Sequence, residues 1–135
     1  MSMGEMEIVS AGLVFVTDGT GGGPTFVGYG IKKIKKFSVG AYDIYFSGSF
    51  PSLDVARTIF VPLVNQLASS YDHFNIAVFA DEGADPDYGD EAFLRVSLWE
   101  GGPPPIPSDN VDFSFAILKF RSPLESADYR LIVLP

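Results

Sequence analysis

Apolar and polar residues along the chain alternate in short runs separated by glycine and proline, and the alternation has period two. In the stretch Gly30 to Phe46, Tyr42, Ile44 and Phe46 fall on one side and Ala41, Asp43 and Tyr45 on the other, as successive side chains of a strand must. Val39-Gly40 breaks the stretch, and glycine supplies the positive φ that tight hairpin turns often need. The pattern predicts a hairpin. In its first arm the spacing Ile31, Ile34, Phe37 departs from strict alternation. A bulge near Lys32-Lys33 restores a strand, because one extra residue shifts the facing pattern; a single helical turn is the competing reading.

The same pattern runs through the rest of the chain. Ile8-Val9 and Leu13 to Val16 give a first extended segment, and Asp18 to Pro24 is too rich in glycine to hold regular structure. Thr25 to Tyr29 resumes the extended pattern. Arg57 to Val64 reads as a strand, with Pro62 at an edge or bulge, although Val64 to Ser70 also suits a short helix. Phe74 to Ala80 alternates strictly and reads as a core strand, and Phe93 to Trp99 as another. Gly101 to Pro107 is a stiff connection of polyproline character. Val111, Phe113, Phe115 and Ile117 mark the buried face of a strand running to Phe120, and Tyr129 to Leu134 is a last apolar segment. Eight or nine strands with turn signals every 8 to 12 residues predict an all-β chain, a single antiparallel β-sandwich spanning 1–135 with no internal repeat or domain boundary.

Composition agrees with a folded domain. Of 135 residues, 47 % are hydrophobic and 19 % charged, well away from a disordered composition, and a chain of this length buries a core without crosslinks. The surplus of apolar and aromatic residues is large for the size, which points to burial against other subunits. The net charge of −8 argues against nucleic-acid binding, which needs a basic footprint. The absence of cysteine removes disulfides and thiol chemistry. The N-terminus lacks the basic start and apolar run of a signal peptide, and no apolar run approaches the roughly 20 residues of a membrane-spanning helix. A soluble chain made in the cytoplasm, without membrane insertion, is expected.

Charge is unevenly placed. Lys32, Lys33, Lys35 and Lys36 put four of the nine basic residues into one strand, and Asp81 to Glu91 holds six acids. Lysines on a strand edge are a common defence against edge-to-edge aggregation, and they also suit an acidic partner or the acidic loop of a neighbouring subunit. Asp81, Asp85 and Asp87 carry oxygen ligands suited to Ca²⁺, but their loop lacks the EF-hand register. A solvated loop is the plainer reading. Tyr71 and Tyr88, in polar loops, are candidates for contact with a ligand, while most other aromatics read as packing. His73, the one histidine, has Asp72, Ser69 and Ser70 nearby. Sequence neighbours rarely converge into a triad, and no Gly-x-Ser-x-Gly elbow is present. The glycine run lacks the lysine and helix of a phosphate loop.

The order of features from Val14 to Val64 resembles the C-terminal domains of bacteriophage tail-fibre and related virion fibre proteins. In that family an apolar strand leads into F-x-G-T-G, then V-S-S-V, then G-x-G-x-Y-x-V-x-F, then a turn with proline. The matching phrases are Val14-Phe15-Val16-Thr17-Asp18-Gly19-Thr20-Gly21, Ile31-Lys32-Lys33-Ile34, Ser38-Val39-Gly40-Ala41-Tyr42-Asp43-Ile44-Tyr45-Phe46 and Phe50-Pro51. The resemblance implies a small β-sandwich that assembles as a homotrimer in the virion, with no cofactor and no enzymatic activity. It implies a place at a fibre tip, at a baseplate or decorating a capsid, with other virion proteins and a host-surface glycan or receptor as partners. Lys32 and Lys33 stand where the family has serines, so the lysine strand is the expected subunit or particle contact. The alternative is a free carbohydrate-binding or calcium-dependent adhesion module, and an enzyme built around His73 ranks below both.

Overall fold

The structure is a computed structural model that describes residues 6–16, 23–46, 57, 59–67, 72–80 and 92–120. Within them lie nine strands: β1 (Met6–Phe15), β2 (Thr25–Tyr29), β3 (Ile31–Ser38), β4 (Ala41–Phe46), β5 (Phe60–Gln66), β6 (His73–Ala80), β7 (Phe93–Glu100), β8 (Ile106–Pro107) and β9 (Phe113–Phe120). They form two antiparallel sheets. The first has the order β2-β1-β9-β5, and the second the order β3-β4-β7-β6, with the short β8 paired to β7. The chain is all-β and sandwich-like, as its alternation requires.

The core lies between the sheets. Val14, Phe60, Phe113, Phe115 and Ile117 come from the first sheet, and Ile34, Tyr42, Ile44, Phe46, Phe79, Leu94, Val96 and Leu98 from the second. Phe46, Phe60 and Phe79 form a three-ring cluster with centroids 5.7 to 6.4 Å apart that spans both sheets. Tyr42 meets Phe113 at 6.0 Å. Each buried ring removes a large apolar area from water, so truncating Phe113 to alanine costs about 3–5 kcal/mol.

The β3–β4 hairpin forms as the alternation requires, with its turn at Val39-Gly40 and Gly40 at φ +72°. The expected bulge falls at Lys32, where the register slips between Ile31 and Lys33; a second slip falls at Phe37. Three expectations need correction. Arg57 and Ile59 take helical backbone, and the strand begins at Phe60 and runs to Gln66, so residues 64–66 are extended. Pro62 does lie in an edge strand. β6 is an edge strand and not a central core strand, and its Phe74, Ile76 and Val78 face solvent. Both faces of β4 are buried, including the side carrying Asp43.

Candidate functional surfaces

Two polar clusters pin the framework. Asp109, in the connection before β9, accepts hydrogen bonds from Lys36 Nζ, the Gly40 backbone N–H and the Tyr42 hydroxyl, each at 2.7 Å. Burial alone would raise the Asp109 carboxyl, but the three donors and the Lys36 charge outweigh it and hold the group below its ordinary 3.8. Burial and the bond to Asp109 push the Tyr42 phenol well above its ordinary 10.0. On the outer face of the second sheet, Arg95 donates to both oxygens of Asp43, at 2.7 and 2.9 Å. Its guanidinium lies 3.7 Å from the centre of the Phe37 ring, a cation–π contact that covers the pair.

The lysine strand is thereby divided. Lys33 and Lys35 stand opposite Tyr45 and Asp43, whereas Lys36 stands opposite Tyr42 on the other face and reaches Asp109. The four side chains do not form one patch. β3 lies at the edge of its sheet, the position in which lysines discourage strand addition. Tyr71, Tyr88, Asp81, Asp85 and Asp87 lie outside the described residues, as do Ser69, Ser70 and the segment Tyr129 to Leu134. Among the described residues no group of three His, Asp or Glu side chains is placed to hold a metal ion.

His73 begins β6. Its Nε2 is 3.1 Å from Glu100 Oε2, and its Nδ1 is 3.1 Å from Asp72 Oδ1 in a geometry that makes no hydrogen bond. Glu100 also accepts a hydrogen bond from Asn110 Nδ2 at 3.0 Å. The imidazole therefore ties the end of β6 to its neighbour strand. Beside it, Phe74 and Trp99 stack across the β6–β7 pair with rings 7° from parallel and 6.2 Å apart.

The outer face of the first sheet was not singled out by its sequence. Register sets Val27, Leu13, Ser114 and Asn65 in one row across the four strands, and Tyr29, Ala11, Ala116 and Leu63 in the next. Ile8, Leu118 and Val61 make a third. No charged residue stands in these rows. Val27, Tyr29, Leu63 and Ile8 are each half exposed or more, and the Tyr29 hydroxyl is turned back to donate to Ile8 O at 2.8 Å. An antiparallel sheet that faces water normally reads polar on that face. This one presents apolar side chains instead. The signal in the sequence was the lack of charge on either side of β2, β5 and most of β9.

Comparison with family models, with curated proteins and with solved structures finds no match for this chain. Uncharged, apolar rows are suited to protein contact. The polar clusters are tied into the framework.

Proposed function

We propose that the chain is a non-enzymatic structural protein of a bacteriophage virion, working through self-assembly and surface binding. The observation that carries self-assembly is the set of three uncharged rows on the outer face of the first sheet. Covering such a face stabilises the assembly at about 25 cal/mol per Å² of apolar surface removed from water. No desolvated charge opposes it. The resemblance of Val14 to Val64 to fibre-tip domains favours a homotrimer at a fibre tip, at a baseplate or on a capsid, with host receptor recognition as its outward role.

Light scattering with mass determination tests this directly. The wild type is expected as a defined oligomer whose melting temperature rises with concentration, and Val27→Lys, at a site 59 % exposed, as a smaller, still folded species whose melting depends less on concentration. A wild-type monomer at every concentration would sink the proposal.

A second reading, the carbohydrate-binding module, is favoured by one feature. A groove of about 210 Å³ on the second sheet is lined by Phe37, Trp99, Ser97 and Arg95, combining ring faces with polar groups as sugar sites do. Binding of neutral oligosaccharides that disappears in Trp99→Ala, with the fold intact, would favour this reading over the first.

A further inference from the structure

We infer that Asp109 is the positioning residue of the groove between Phe37 and Trp99, where one carboxylate holds both walls so that a ligand meets a slot already formed. Its role in binding rests on the carbohydrate-module reading of that groove. The groove exists because its floor is small. Ala41 of β4 stands opposite Ser97 of β7, with Phe37 and Arg95 to one side and Trp99, paired with Pro107, to the other. Among the described residues of the lining, Arg95 is the one ionised group, and Asp43 answers its charge at 2.7 and 2.9 Å. A neutral, hydroxylated ring suits such a lining.

The wall made by residues 37–39 has little apolar burial to fix it, since Phe37 and Val39 are 53 % and 59 % exposed. It also leaves the ladder. The register with β4 slips between Lys36 and Ser38, so Phe37 has no residue opposite it, and a bulge of this kind re-aims a side chain. Polar ties must therefore set where the wall stands.

Asp109 supplies them at both ends of the stretch. Its Oδ2 accepts from Lys36 Nζ and its Oδ1 from the Gly40 N–H, each at 2.7 Å. The opposite wall is joined to the same carboxylate through the chain, because Pro107 lies just before Ser108 and Asp109. Ser108 N–H bonds to Leu98 O at 3.0 Å, and Leu98 N–H bonds to Gly40 O at 2.6 Å, which closes the circuit beneath the floor. Asp109 is not itself part of the lining. It acts on a ligand only by fixing the residues that are, and a site fixed beforehand spares the cost of ordering it on binding.

The test is calorimetric binding of neutral glucose, galactose and N-acetylglucosamine oligomers at pH 7. Asp109→Ala is expected to bind roughly tenfold more weakly than the wild type. Tyr42→Phe removes a third bond to the same carboxylate and leaves both wall ties, so it is expected to lose stability and keep its affinity. Equal losses in the two variants would mark Asp109 as a stabilising group alone and overturn the inference, as would wild-type affinity in Asp109→Ala. In either case a loss confined to Trp99→Ala leaves the carbohydrate reading standing. If the wild type binds none of these sugars, that reading falls and the groove's shape is decided by acrylamide quenching of Trp99, the one tryptophan of the chain. Stronger quenching in Asp109→Ala than in Tyr42→Phe supports the positioning role, and equal quenching overturns it. Should Asp109→Ala not fold, Asp109→Asn takes its place: it keeps the Gly40 tie and gives up the Lys36 one, so a smaller loss is expected and an unchanged affinity overturns the inference.

Discussion

Arg95 and Asp43 face each other directly across the β4–β7 pair, joined by two hydrogen bonds, and Asp43 is 3 % exposed. A buried acid held by a fork-shaped partner is a site where the two members are unequal in effect. Removing the cation strands a charge in a dry environment, which costs about 3–5 kcal/mol. Arg95→Met is expected to lose that much in urea unfolding. Asp43→Val/Arg95→Met is expected to recover most of it, because an apolar pair has no charge to desolvate. Equal midpoints for the single and double variants would count against the account.

Asp109 predicts the behaviour in acid. Its folded value lies below 3.8, so its contribution is fully present above the unfolded value and is lost as pH falls through the folded one. Asp109→Asn keeps an acceptor for Gly40 and Tyr42 but cannot pair with the Lys36 charge. The variant is expected to be less stable at neutral pH and to show a flatter stability curve below about pH 4, the unperturbed carboxylate range. Thermal melting across pH 2 to 7 checks both features.

Tyr42 makes the complementary prediction in alkali. Its phenol is held in the neutral form by burial first and by Asp109 second. A raised value contributes stability fully present below the unfolded 10.0 and lost only as pH rises through the folded value. In an ultraviolet titration of the folded chain, Tyr42 is expected to stay un-ionised until the protein unfolds. Subtracting the Tyr42→Phe curve isolates it. A normal ionisation near pH 10 would refute the assignment.

Gly40 has φ +72°, and a Cβ there would sit 2.7 Å from Leu98 O and 2.8 Å from Ser108 N. The two neighbours are backbone atoms bonded to each other, Ser108 N–H to Leu98 O at 3.0 Å, and Leu98 N–H is itself bonded to Gly40 O at 2.6 Å. Gly40→Ala therefore meets left-handed strain of about 1–2 kcal/mol together with a clash that cannot relax cheaply. It is expected to lower the melting temperature by about 8 °C or more, on a scale of roughly 4 °C per kcal/mol for a chain of this size.

The parts of this fold that were legible in the sequence are local ones. The β3–β4 hairpin and its bulge followed from Val39-Gly40 and the slipped spacing of Ile31, Ile34 and Phe37, because turn and alternation lie within one stretch of chain. The buried face of β9 was legible for the same reason. The alternation of β6 was read correctly as a strand and wrongly as a core one. Period two reports which residues share a face, and only the sheet order decides whether a neighbour covers it. The Asp43–Arg95 pair and the Asp109 cluster join residues 52 to 73 positions apart, a distance over which no local pattern operates. The uncharged face of the first sheet escaped notice because its rows are assembled from four strands, each of which contributes only two or three residues.

The order β2-β1-β9-β5 also bears on how the chain is made. β9 is the last of the described strands to be synthesised, and it lies between β1 and β5. The four long strands of the second sheet are complete once Glu100 has been added. On a translating ribosome that sheet can pair while β1, β2 and β5 still lack their centre, and its inner apolar face waits uncovered for β9. Adding β9 joins β1 to β5 and completes the first sheet.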